Sequence, residues 1–92
     1  DRTARFGIAN TDFALGRLDD AAGILRQLLA EDATFTAARN NLALVLAHRG
    51  EFDAAATEID MAMQLNTDAA LEDVLSDTAT QIQKMKVAAD PQ

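Results

Sequence analysis

Along most of the chain the apolar residues recur every three to four positions, the spacing of one face of an α-helix. Leu42, Ala43, Leu46 and Ala47 follow that period and stop at a polar break, Arg49–Gly50–Glu51. A second run, Ala55, Ala56, Ile59, Ala62 and Met63, resumes after it, with Glu58 and Asp60 largely on its other side. Arg49 suits a last helical turn and Gly50 the left-handed stop beyond it. Asp53 is placed to cap the next helix, with Phe52 just ahead of the cap to clamp the turn onto the helix below.

The same pattern occurs once more upstream. A shift of 34 residues lays Gly16 on Gly50, Ala9 on Ala43, Ile8 on Leu42 and Leu18 on Phe52. It also brings Asp19 onto Asp53, Ala21 and Ala22 onto Ala55 and Ala56, Leu25 onto Ile59 and Leu29 onto Met63. Matched glycine, small and bulky positions at one period are the mark of a repeat. Each unit reads as two helices joined by a tight turn. The glycine reverses the chain, the residue after it anchors the turn, and the small residues let the helices approach closely.

Downstream, Leu71, Val74, Leu75, Thr78, Ile82 and Met85 form the apolar stripe of one more helix. Thr67 or Asp68 can cap it, and Lys84 and Lys86 suit its C-terminal dipole. A strict 34-residue register would turn Asp73, Ser76 and Asp77 inward. A connection two residues shorter is therefore expected, turning Leu71, Val74 and Leu75 to the core. The interior glycines Gly7 and Gly23 suggest close helix approach, and Met61, Met63 and Met85 read as core filling.

This arrangement resembles the tetratricopeptide repeat, a helix–turn–helix with small residues at its tightest contacts and an aromatic after the turn glycine. Asn41, Leu42, Ala43, Leu46, Gly50, Phe52, Ala55, Ile59 and Ala62 carry the resemblance in the second unit. Ile8, Ala9, Gly16, Leu18, Ala21 and Leu25 carry it in the first. The first unit departs from the pattern at Asp12, where a large apolar residue is usual, and at Leu28, where alanine is usual. Ala33 and Thr67 replace the proline that often follows each unit.

The resemblance implies an all-α fold of five helices, a right-handed superhelical stack of two hairpins and a C-terminal capping helix. Repeat one spans about 2–35, repeat two about 36–68 and the cap about 69–88, with 89–92 a frayed tail. The resemblance further implies a concave face lined by the first helix of each unit: Thr3, Phe6, Asn10, Phe13, Asn40, Asn41, Leu44 and His48. Asn10 and Asn41 stand where some relatives grip a peptide's terminal carboxylate. The flanking cations of that clamp are absent: Phe6, Leu71 and Leu75 occupy their places. Phe6 and Phe13, seven residues apart with Asn10 between them, form an apolar shelf for a partner or a packing surface within the chain.

Composition narrows the function. With 15 acidic against 8 basic residues the net charge is −7, which repels nucleic acid and anionic lipid and favours a cationic peptide. No apolar run approaches membrane-spanning length. Without cysteine, thiol chemistry and cysteine-bound metals are excluded. His48 has no serine, cysteine or second histidine near it in sequence, and reads as structural. The acidic pairs Asp19–Asp20, Glu31–Asp32 and Glu72–Asp73 read as solvated surface, since a calcium site needs six or more converging oxygens. Glu72, Asp73 and Ser76 are placed to rim the concave face.

No catalysis, metal or cofactor is expected. The expected function is recognition of a protein or peptide on the concave face, as a scaffold or adaptor. A homodimer buried through Phe6 and Phe13, and a non-catalytic accessory domain of a larger bacterial enzyme or assembly, stay open as alternatives. The chain is expected to be a piece of a longer one.

Overall fold

Gly16 and Gly50 both adopt positive φ, 78° and 81°, the left-handed region in which glycine carries no Cβ penalty. Each closes its helix with the same pair of hydrogen bonds. The Gly16 and Arg17 amides donate to Phe13 and Asp12 carbonyls at 3.0 and 2.8 Å. The Gly50 and Glu51 amides donate to Ala47 and Leu46, both at 2.9 Å. These partners stand 34 residues apart, so the two turns are one structure built twice.

The computed structural model describes residues 1–90. Five α-helices follow in order: α1 (Arg2–Ala14), α2 (Leu18–Glu31), α3 (Thr36–His48), α4 (Phe52–Leu65) and α5 (Glu72–Ala89). A short 3-10 turn, Ala69–Leu71, precedes α5, and no strand occurs among the described residues. α1 and α2 form one hairpin, α3 and α4 the second, and α5 packs on both α3 and α4. The smallest dimension, 19 Å, is that of two helical layers.

α3 lies at the centre, against α1, α2, α4 and α5. Ala38, Leu42, Ala43, Val45, Leu46 and Ala47 are all buried. Ala21, Ala22, Leu25, Leu28 and Leu29 of α2 and Ala55, Ile59 and Ala62 of α4 complete the core. A charged residue also enters it. Arg39 is only 8% exposed. Its guanidinium donates to Glu58 at 2.8 Å and to the Ala33 carbonyl at 2.9 Å. Arg39 shares a helical face with Ala43 and Leu46, so it must point inward, and the two acceptors make that burial tolerable. Glu58 is thus half-buried against α3 rather than on the outer side of α4.

Several expectations need correction. α4 begins at Phe52, one residue earlier than expected, with Glu51 at the cap position and no side-chain cap. Asp53 lies in the first turn, beside the helix dipole, and meets Lys86 at 3.2 Å. Gly7 and Gly23 are exposed, and a Cβ built on either meets nothing within 4 Å, so neither serves close packing. Met61 and Met63 lie at the surface, and only Met85 packs on the core. Asp12 is buried at the hairpin end, 3.8 Å from Arg17. Ala89 belongs to α5, and the expected fraying of Pro91 and Gln92 lies outside the described residues.

α5 departs in register. Leu71, Leu75 and Thr78 face the core as Ala38, Leu42 and Val45 do in α3, a shift of 33 residues. The connection is one residue shorter than strict repetition, not two, and Val74 is exposed. Asp68 caps the 3-10 turn by accepting from the Ala70 amide at 2.9 Å.

The acidic pairs are not simply solvated. Arg5 forks onto Glu31 with bonds of 2.6 and 2.7 Å, and Arg2 reaches Asp32 at 3.0 Å. Asp19 lies 3.4 Å from Arg49. The hydrogen bonds from Arg5 pull the Glu31 carboxyl below its ordinary 4.5. Those from Thr34, with Arg2 behind them, pull Asp32 below 3.8.

Two outcomes follow from these local structures. Gly50→Ala forces a Cβ into the left-handed region and should lower unfolding free energy by about 1 to 2 kcal/mol. Gly23→Ala, in open space on a helix, should raise it by about 1 kcal/mol; denaturant unfolding of both variants checks the contrast. A depressed folded-state pKa gives stability that is present above the ordinary value and lost as pH falls below it. The stability difference between the native chain and Arg5→Gln should therefore be constant near neutrality and shrink as the pH drops below 4.5, read by unfolding at a series of pH values.

Candidate functional site

α1, α3 and α5 lie side by side, and their shared outer face is the concave surface of the stack. On α1, Phe6, Asn10 and Phe13 recur at intervals of four and three, which puts them in one row. On α3, Asn41, Leu44 and His48 form the adjoining row.

The rows are joined by amides. The Asn41 amide donates to the Asn10 side-chain carbonyl at 2.6 Å, and the Asn40 amide donates to the Asn41 carbonyl at 3.1 Å. The relay has a direction. Each carbonyl accepts from the residue behind it, so the amide group of Asn10 is its terminal donor. Asn40 is 5% exposed and its own Oδ1 is buried without a partner. It is therefore a prop beneath Asn41 and not a contact residue. A buried, unpaired acceptor costs about 1 to 3 kcal/mol, and it accompanies an amide that holds Asn41 toward Asn10.

Aromatic rings stand at both ends of this amide pair. Phe13 meets the His48 ring edge-on, with centroids 5.2 Å apart. Phe6 lies against Phe35 at 5.0 Å, and the Arg2 guanidinium sits 3.7 Å above the Phe35 ring while it pairs with Asp32. Phe6 and Phe13 are each half-buried, so part of each ring faces the groove. Leu44 is half-buried, and His48 and Thr3 are exposed. Of the expected residues, Phe6, Asn10, Phe13, Asn41, Leu44 and His48 share one surface, and Asn40 lies under it.

Two further contributors escaped the sequence. Phe35, from the turn before α3, floors a cavity of about 500 Å³ at one end of the groove, with Arg2, Leu65, Thr67 and Leu71 around it. No local pattern marks Phe35, because its neighbours Phe6 and Arg2 come from another helix. The second contributor is α5. At the 33-residue shift, Asp73, Val74 and Asp77 correspond to Asn40, Asn41 and Leu44, and all three are exposed. Glu72 and Ser76 instead correspond to Arg39 and Ala43 and fall on the outward face of the stack. Leu75 is buried, and Leu71 half-buried, where a carboxylate clamp would need cations. Among the described residues no three histidine or acidic side chains converge as a metal site, and no helix is long and apolar enough to cross a membrane.

Comparison with known proteins gives one match. A tetratricopeptide repeat family model covers residues 4–77, which takes in both hairpins and the start of α5. No curated protein matches the chain. Repeats of this family are typically non-catalytic and generally mediate protein–protein interactions as scaffolds. Duplicated glycine turns, an alanine-lined helix interface and the family match over most of the chain agree, and the chain belongs to the tetratricopeptide repeat family.

Proposed function

We propose that the concave face binds an extended, basic and partly apolar peptide segment of a partner protein. The observation that carries this reading is the Asn41–Asn10 amide pair set between two half-buried phenylalanine rings. Phe6 and Phe13 are separated by about 10 Å along α1, since each helical residue rises 1.5 Å. That length matches about three residues of extended chain. A backbone carbonyl of the peptide would accept from Asn10, and apolar side chains on either side would rest against Phe6 and Phe13. Main-chain contacts give affinity and the ring pockets select side chains, as in other extended-peptide sites.

Charge supports a basic ligand. Asp73 and Asp77 on the α5 side of the groove take part in no ion pair within the chain, whereas Arg2 is already engaged with Asp32. A terminal carboxylate would find amide donors there but no cation of its own. The homodimer reading built on Phe6 and Phe13 draws less support, because Phe35 and His48 of the same chain already occupy part of each ring.

The test is selection of peptides on the intact domain by display, followed by affinity measurement. Selected sequences should be basic with spaced apolar residues. Phe13→Ala should weaken them about tenfold, equivalent to 1.4 kcal/mol, with thermal unfolding little changed. Asp73→Asn with Asp77→Asn should flatten the salt dependence. Equal binding by the folded Phe13→Ala protein would contradict the assignment.

A further inference from the structure

The two ends of the stack differ, and the difference points to a second docking surface, separate from the groove. On α3, Ala38 and Val45 are fully buried and Leu42 is 3% exposed. The corresponding α1 residues, Ala4, Thr11 and Ile8, are exposed, Ile8 at 53%. One difference in surroundings accounts for this: α3 has α2 in front of it, and α1 has no helix in that place. Ala38, Leu42 and Val45 are therefore the face that meets α2, and Ala4, Ile8 and Thr11 are its uncovered copy, continued by Leu15 at 61% exposure.

The opposite end is closed. The outward face of α5 carries Glu72, Ser76 and Gln83, all exposed and polar. A further helix laid there would desolvate a carboxylate with no partner. Polar closure at one end and an aliphatic face at the other leave α1 as the surface that can extend the core.

We propose that the open face of α1 docks an amphipathic helix from a partner protein, packed as α2 packs on α3. The internal interface specifies that helix. One side of α2, with Ala21, Ala22, Leu25, Leu28 and Leu29, is wedged between α1 and α3, so the partner presents small and large aliphatic residues at the same spacing. One position differs. Arg49 in the second repeat meets Asp19 of α2 at 3.4 Å, but the first repeat has Leu15 in Arg49's place. The partner helix therefore carries an apolar residue where α2 has Asp19.

A second copy of this chain fits the surface poorly. Its α2 and α4 already have their apolar sides covered, its α5 offers a polar face, and each copy carries a net charge of −7.

The probe is a peptide with the sequence of residues 17–32, bearing Asp19→Leu and stapled across positions 26 and 30, which are exposed in α2. Its binding to the isotopically labelled intact chain is followed by amide chemical shifts. Shifts clustered on Ala4, Ile8, Thr11 and Leu15 are expected. At least fivefold weaker binding is expected for the peptide that retains Asp19, and loss of the shifts in Ile8→Asp, whose folding is checked by thermal unfolding. Three results would overturn the proposal: no α1 shifts at millimolar peptide, shifts confined to the concave groove or α5, or α1 shifts that grow with protein concentration alone. The last would make a second copy the occupant.

Discussion

The fold depends on how closely other helices can approach α3. Leucine, isoleucine and valine supply most of the buried area, but alanine sets the distances. Ala38, Ala43 and Ala47 on α3 face inward among Ala21, Ala22, Ala55 and Ala62 from the flanking helices, all buried. Interiors packed this densely have little room for an added methylene, so the small residues fix the geometry and the large ones fill what is left. With four Phe and no Trp or Tyr in 92 residues, no single large side chain could organise the core. It is organised instead by repetition of one close contact, which is why the same turn, with the same two hydrogen bonds, appears twice.

The start of α5 converts this repeating unit into an ending. One residue less than strict repetition turns Leu71, Leu75 and Thr78 onto α4 and α3. The same phase sends Glu72, Ser76 and Gln83 outward to water and turns Asp73, Val74 and Asp77 to the concave side. One change of register thus closes the hydrophobic stack and gives the groove its acidic wall. Structure and proposed recognition share this cause: the groove exists because α1, α3 and α5 are held parallel, and its charge follows from the phase of the last helix.

The two hairpins could be read directly from the sequence because their determinants are local. A positive-φ glycine, an apolar residue two positions on, and small residues at helical spacing act within one turn or one helix pair. What the sequence hid was non-local or depended on absent neighbours. Arg39 looks like a surface residue until Glu58 and the Ala33 carbonyl are brought to it from other segments. Met63 matches the buried Leu29 in sequence, yet it is exposed because nothing follows to cover it. The phase of α5 is set by the 3-10 turn Ala69–Leu71, which leaves no mark on hydrophobic periodicity. At the groove, Asn10 and Asn41 were identifiable from the family pattern. The burial of Asn40 and the roles of Phe35, Asp73 and Asp77 appear only when helices from distant parts of the chain are placed together.

The central claim is that α3, packed on four other helices, is the structural keystone of the domain. Native-state hydrogen exchange tests it most directly, because amides that open only with global unfolding report the most stable element. The account predicts the slowest exchange in α3, from Leu42 to Ala47, at a free energy equal to that of global unfolding, with α1 and the C-terminal turns of α5 opening at lower cost. Exchange in α3 as fast as in α1, or a hairpin α1–α2 that outlasts it, would contradict the account.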